Sequence, residues 1–500
     1  MGELAVRLRA SLACLLLATA PAAYAATPDA AALAQVDRIF ADWRLSAHAP
    51  GLVYGIVADG RLVQVNGLGV QDPSSSQAVT PDSLFRIASM SKAFTALAIL
   101  KLRDDGKLSL DAPAERYVPE MKGWRYPTTD SPRITVRNLL THTAGFVEDN
   151  PWGDRQQVVP EAGFTAMLRA GVPFSRAPGL AMEYSNFGYA TLGRIVSNVS
   201  GMPYQRYIQR EIMAPLGMTS SGFDVFASPQ SRRALGYRWE GGQWVREPDM
   251  ADGSFGAMGG VETSASDFAK WVAFLLSAWP ARDGPETGPV RRSTVREIVT
   301  GANFAVAADR PPVMGGAPCR QAVAYGMGWR VAEDCELGRI VSHTGGYPGY
   351  GSVVMLLPDK GVGVFAFSSR TYGAPSPAAF RAAVALNKAG VLRERPIALS
   401  PGLSTAYAAA RSVWASGDIA AAPLANNVLM DRNAEAWKAM LTGLKREVGA
   451  CNASEPVNPI SAMEGRFTWT CERGRISGRV QRAPTPAVTI QALEFALAAP

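Results

Sequence analysis

Hydrophobic positions crowd rather than alternate along the early part of the chain, and two runs set the frame. From Ala93 to Leu100 the residues are apolar on almost every face except at Thr95, which predicts a helix packed on all sides. From Leu52 to Ala58 the run is apolar without alternation, as in a central strand covered on both faces. A second arm follows to Val70, and Asp59-Gly60 between the two is a strong hairpin-turn dipeptide. An amphipathic helix is expected around 32–45. The buried helix ends near Asp104-Asp105-Gly106-Lys107, where glycine suits a left-handed cap.

From there to about Trp271 the pattern is mostly helices and long Gly/Pro-rich loops. Residues 134–142 read as helical and run into Thr143-Ala144-Gly145. Tyr184-Ser185-Asn186 falls on a loop between a Pro178-Gly179 turn and a helix starting near Tyr189. Residues 256–271 read as a Gly-rich loop into a helix whose start signal is Ser264 with Asp267, and that segment reads as structural. Between Gly338 and Arg370 the period changes, and residues 339–344, 351–357 and 362–369 read as strands, the last two joined by a turn at 358–361. Beyond a linker at 396–401 come helices at 404–416 and 433–448, a hairpin at 466–480 and a last strand near 488–495.

The fold class that follows is α/β: an antiparallel β-sheet flanked by helices, an all-helical region, and a small α+β appendage at the C-terminal end. Residues 26–395 are expected to form the main domain and 396–500 the appendage, whose role the sequence leaves unassigned. The first 25 residues read as a cleaved leader. Arg7 and Arg9 precede an apolar run from Leu12 to Ala20, and Ala23-Tyr24-Ala25 has the small-x-small pattern of a processing site. Cys14 precedes most of that apolar run, which argues against a lipid-accepting cysteine. The run is too short for a permanent span, and nothing later reaches about 18 apolar residues in a row, so a periplasmic or secreted protein without a membrane span is expected.

Composition narrows the chemistry. Removing the leader leaves Cys319, Cys335, Cys451 and Cys471, an even number that favours two disulfides in an exported chain, with the local pairs Cys319–Cys335 and Cys451–Cys471 preferred. The only histidines are His48, His142 and His343, and there is no Cys-x-x-Cys, so no zinc spacing is present. The net charge of +7 is spread over scattered arginines, which does not indicate a nucleic-acid groove.

The chemistry-bearing pattern is Ser89-Met90-Ser91-Lys92, the one Ser-x-x-Lys of the chain. Three residues apart on a helix, the two side chains lie on adjacent rows. Burial disfavours an ammonium, so Lys92 is expected to be partly neutral and able to take the serine proton. Ser89 also stands at a helix N-terminal end, where free N–H groups favour developing negative charge. His142 is read as a hydrogen-bonded structural residue closing a helix rather than as a general base. Phe146, Trp152 and Phe164 supply apolar area for an acyl pocket or for core. Tyr184 and Asn186 suit a loop offering a phenol and a carboxamide to substrate. In His343-Thr344-Gly345-Gly346 the glycines allow close backbone approach, and the Gly346 N–H can join that of Ser89 as an oxyanion hole. A loop needing glycine at positive φ is the plainer reading of the same residues.

In the order Ser89-x-x-Lys92, Tyr184-x-Asn186, His343-Thr344-Gly345, the chain resembles the serine β-lactamase and penicillin-binding-protein superfamily. The likeness is to the branch holding class C β-lactamases, D-alanyl-D-alanine carboxypeptidases, D-aminopeptidases and related esterases. Leu139 to Gly145, Pro215 to Met218 and Gly326 to Trp329 also look like that branch, and the resemblance runs from about Val36 to Arg395. It implies an acyl-enzyme mechanism with no metal or organic cofactor, acting on a small-molecule or peptide substrate. Ser89 would be the nucleophile, Lys92 and Tyr184 would share acid and base duties, and Asn186, His343, Thr344, Gly345 and Gly346 would line the substrate. Which of Lys92 and Tyr184 takes the first proton stays open, since the two titrate as a coupled pair. Class C β-lactamases usually carry lysine where His343 stands. A mostly neutral histidine binds a substrate carboxylate less well, which implies poor hydrolysis of penicillins and cephalosporins. Two function classes follow: an exported serine hydrolase, peptidase before esterase or β-lactamase, and a receptor or penicillin-binding sensor that acylates with little turnover. Oligomeric state is unassigned.

Overall fold

The uninterrupted apolar run at 52–58 becomes the middle of a sheet. In the computed structural model, which describes residues 30–150, 152–310, 312–313 and 318–498, it forms β1 (Gly51–Ala58), buried at every position. The expected leader lies outside the described residues. Asp59 and Gly60 both take positive φ and turn the chain into β2 (Arg61–Asp72), the right-handed hairpin twist such a pair gives. After β3 (Gln77–Ala78) come two short pairs outside the main sheet: β4 (Leu84–Arg86) with β7 (Glu262–Ser264), and β5 (Tyr237–Glu240) with β6 (Gln243–Arg246). The main sheet is completed by β8 (Asn303–Arg310), β9 (Cys319–Tyr325), β10 (Arg330–Asp334), β11 (Gly338–Tyr347), β12 (Tyr350–Leu357) and β13 (Val362–Ser368). Its nine strands run β3-β2-β1-β13-β12-β11-β10-β9-β8, each pair antiparallel.

Because both faces are covered, successive residues of β1 serve different cores. Leu52, Tyr54 and Ile56 join a cluster with α1 (Ala30–Ser46). Val53 and Val57 face the helical side. That side is built from α2 (Ser91–Asp104), α3 (Val136–Leu140), α4 (Glu161–Ala170), α5 (Asn186–Ser200), α6 (Tyr204–Ile208), α7 (Gly256–Gly259), α8 (Ala265–Leu276) and α9 (Arg292–Ile298). α10 (Ser376–Lys388) returns to lie beside α1. All of α2 from Ser91 to Leu100 is buried, as its sequence demands, and Gly106 closes it at φ 71°.

The C-terminal stretch has α11 (Pro401–Ser416), α12 (Val428–Asp431), α13 (Ala434–Val448) and a sheet of β14 (Asn458–Pro459), β15 (Glu464–Cys471), β16 (Gly474–Arg482) and β17 (Ile490–Leu497), paired in that order. Tyr407, Trp414, Phe467, Trp469 and Phe495 lead a separate core drawn from residues 403–495. Both expected disulfides are present, Cys319–Cys335 and Cys451–Cys471. No helix among the described residues is long and apolar enough to cross a membrane.

Three expectations need correction. The sheet extends well beyond the strands at 339–369, because β8, β9 and β10 precede them. The strand ending at Thr344 continues to Tyr347, so Gly345 and Gly346 are paired with Ser352 and Gly351 rather than looped. Asn186 opens α5, three residues before the expected start, because Ser185 caps it by accepting from the Gly188 N–H at 3.1 Å.

Candidate active site

Ser89 stands on a 3-10 turn, Ala88–Met90, that runs directly into α2. Ala88 sits at φ 49°, a left-handed conformation worth roughly 1–2 kcal/mol of strain in a residue with a Cβ. Neighbours hold the turn in place. The Ile87 N–H donates to Val261 O at 3.0 Å, and the Ser352 hydroxyl on β12 donates to Ile87 O at 2.7 Å.

Lys92 follows one turn later and is fully buried. Its Nζ lies 3.1 Å from Ser89 Oγ, 2.7 Å from Asn186 Oδ1 and 2.8 Å from Met258 O. The last two atoms only accept. A neutral amine has two hydrogens for them and a lone pair left for the serine proton. Burial pushes Lys92 down to about 7 against the opposing pull of Asp154 and Asp149. Neutral lysine is therefore plentiful near pH 7.

Tyr184 brings its ring within 4.9 Å of Lys92 Nζ and its hydroxyl against Ser89, while burial holds the phenol well above its usual range. Behind it His142, buried and at φ 56°, accepts the Ser185 N–H on Nδ1 at 3.1 Å and packs 4.3 Å from the Tyr184 ring. Burial also pushes His142 well below its ordinary value. It supports the Tyr184 segment, as the structural reading expected. Asn186 keeps a buried Nδ2 with no partner among the described residues, a donor free for a ligand. Phe146 and Phe164 are buried in the core; the side chain of Trp152 lies outside the described residues.

β11 forms the opposite wall. Gly345 touches the Ser89 turn so closely that a Cβ there would stand 2.3 Å from Ile87 O and 2.2 Å from Ser352 Oγ. β11 turns into β12 through the Tyr347–Tyr350 pair. Counting back from this closing pair, Tyr347, Gly345 and His343 direct their backbone groups at β12, and Gly346 and Thr344 direct theirs the other way. On that other side β10 pairs only as far as Ser342, which leaves Thr344 and Gly346 an open edge. Thr344 is exposed there and Gly346 half-buried.

His343 is turned away from this edge's solvent. Its Nδ1 donates to Thr344 O at 2.6 Å, so Nε2 accepts from the Tyr325 hydroxyl at 3.0 Å. Burial, with Lys92 nearby, lowers it to about 4. Ser89, Lys92, Tyr184 and Asn186 are thus brought into contact with one another, and the strand carrying His343 to Gly346 packs on the Ser89 turn through Gly345, with the His343 ring turned into the interior.

Several contributors were not singled out. Met258, on a segment read as structural, supplies a carbonyl to Lys92. Tyr325, just before the Gly326–Trp329 segment, satisfies His343 Nε2 once Thr344 O has fixed the tautomer. Asp149 accepts the Asn186 and Phe187 N–H groups at 2.7 and 2.8 Å, anchoring the start of α5. Asp154 is buried in the same loop. Neither aspartate belongs to a pattern; that Asp149 and Asp154 stand close to Phe146 and Trp152 in the sequence was the sole available signal.

Known proteins resemble this chain to differing extents. Protein flp of Staphylococcus aureus (strain N315) is 29% identical over 335 residues, 66% of this chain and 61% of that protein, so the match spans less than two thirds of the relative. The D-alanyl-D-alanine-carboxypeptidase/endopeptidase AmpH of Escherichia coli (strain K12) is 29% identical over 321 residues, 63% of this chain and 78% of AmpH. The octameric penicillin-binding protein homologue from Pyrococcus abyssi superposes with a TM-score of 0.60 at 21% identity, over 93% of this chain and 99% of its own, a likeness of fold. The family model described as Beta-lactamase matches residues 30–388, well over half the chain, and the chain belongs to that family.

Proposed function

We propose that the protein is an exported serine hydrolase working through an acyl-enzyme on Ser89, and that it is a peptidase for peptides containing D-residues. The observation that carries this is Lys92 Nζ at 3.1 Å from Ser89 Oγ with two pure acceptors on its other bonds. Neutral Lys92 takes the Ser89 proton as Oγ attacks the acyl carbonyl. The N–H groups of Ser89 and Gly346 hold the oxyanion. Tyr184, whose phenol burial keeps protonated, gives its proton to the leaving group and regains one from Lys92. Water then attacks the ester by the same steps reversed. Asn186 Nδ2 donates to an amide on the acyl side.

The peptidase reading draws on the AmpH likeness and on His343. Held neutral between Tyr325 and Thr344 O, it offers no cation to the carboxylate of a penicillin or cephalosporin, so turnover of these is expected to be poor. The paired cysteines support an oxidising compartment. The test is a time course of intact mass with benzylpenicillin, run beside Ser89→Ala. A long-lived adduct absent from the mutant supports the acyl-enzyme, and D-peptides are then the substrates to assay. Rapid penicillin turnover overturns the substrate preference. An adduct that persists in Ser89→Ala overturns the nucleophile.

A further inference from the structure

Two carboxylates lie within electrostatic reach of Lys92, and they are used differently. Asp149 is committed to the two N–H groups that open α5. Asp154 is not. Its side chain is 1% exposed, the Tyr372 hydroxyl donates toward it, and Oδ2 has no hydrogen-bond partner among the described residues. A buried acceptor in that condition has lost its hydration without gaining a hydrogen bond in return. A ligand N–H placed there would supply that bond.

The position adjoins Asn186, which the mechanism above gives to the acyl side. Gly153, immediately before Asp154, packs on Asn186: a Cβ at Gly153 would stand 2.8 Å from Asn186 Nδ2. Tyr372 packs on the other wall, where a Cβ at Gly346 would stand 2.8 Å from its Cδ1. Tyr372 is itself held at φ 51°, its N–H on Tyr347 O at 3.2 Å, and it is 40% exposed. Asp154 thus lies between the carboxamide that opens α5 and the glycine of the oxyanion edge, with an aromatic ring as its cover. Arg155 beside it is exposed. On the leaving-group side His343 brings no positive charge.

This polarity is the reverse of a site that captures a carboxylate. Resting on the serine-hydrolase reading above, we propose that Asp154, with Tyr372 as its aromatic wall, is a subsite for a protonated primary amine on the acyl part of the substrate. The preferred substrates are acyl donors that carry an ammonium group near the scissile carbonyl. Carboxylate and aromatic face are the two partners an alkylammonium takes. Burial raises Asp154 to about 6, so it is mostly ionised at pH 7, and an arriving cation favours that form further.

The test separates this subsite from the hydrolase reading. A fluorophosphonate that labels Ser89 in the full-length protein, read by intact mass, establishes the nucleophile; no label counts against the hydrolase. The subsite is read by calorimetric binding to Ser89→Ala of D-alaninamide and of isobutyramide, which replaces the ammonium by a methyl group. D-alaninamide is expected to bind at least tenfold tighter, and adding Asp154→Asn should reduce that ratio at least tenfold. In protein that labels, the acylation rates from D-alanine p-nitroanilide and isobutyryl p-nitroanilide give the same ratio. A role confined to the charge around Lys92 lowers both rates together and leaves the ratio alone, which overturns the proposal. Equal binding of the two amides by Ser89→Ala also overturns it, with no need for the second substitution.

Discussion

At the scale of single residues, the proposed chemistry turns on a lysine that burial lowers to about 7. The base must be neutral to accept the Ser89 proton, so the rate of Ser89 acylation is expected to rise with pH through about 7 and flatten above it. Asp154 titrates near 6 in the same cleft and attracts the Lys92 ammonium, so the measured midpoint belongs to the coupled pair. A profile that falls across this range contradicts the assignment of the base. Lys92→Arg keeps a cation but loses the base, since a guanidinium does not deprotonate in a protein. Acylation should drop on the order of 10²–10⁴-fold, the usual worth of a positioned base, with intact mass as the readout. The Ser-Lys pair was legible because helix spacing alone joins its two members. Asp149, Asp154 and Tyr372 were not, because they meet the site only through loops whose course depends on the finished core.

Element by element, the readable parts were those whose pattern is local. The Asp59-Gly60 turn, the run from Ala93 to Leu100 in α2, apolar except at Thr95, and the Ser264 cap each carry their instructions within a few residues. β8, β9 and β10 do not. Their sequences are rich in alanine and charged residues, weak strand formers; β9 and β10 are held by neighbours on either side and the edge strand β8 by β9 alone. The same logic explains β11. Its glycines look like loop residues, yet they are paired to β12, where the Ser89 turn leaves no room for a side chain at Gly345 and Tyr372 crowds one at Gly346. Gly345→Ala therefore tests an element contact. Its methyl would meet Ile87 O and Ser352 Oγ at 2.3 and 2.2 Å, and since Ile87 belongs to the turn before Ser89, β11 and the turn must separate. Overpacking of this kind costs about 1–3 kcal/mol. Thermal unfolding should show that loss, and acylation of Ser89 should fall by more than the stability change explains, because the Gly346 N–H moves with the strand. A variant with full acylation at reduced stability would mean that the strand's position does not set the oxyanion contact.

Across the whole molecule, the cores determine what unfolds together. Two clusters share the strands of the nine-stranded sheet, since β1 contributes alternate residues to each, and these should melt as one unit. The third cluster uses only residues 403–495, an apolar core built around Trp414, Phe467 and Trp469 with Cys451–Cys471 closing across it. A stretch of about a hundred residues gains stability chiefly from so small a core, and a disulfide spanning 20 residues of sequence adds about 3 kcal/mol by restricting the unfolded chain. Replacing both cysteines by serine should therefore split the calorimetric trace, or widen an existing split, by lowering one transition on the order of 10–20 °C. The other transition and the acylation of Ser89 should hold, because every group around the nucleophile comes from residues before 395. If both transitions fall together, the C-terminal core is stabilised through the main sheet. If acylation falls with the lower transition alone, the C-terminal part shapes the cleft, and its deletion becomes an experiment on substrate choice rather than on stability.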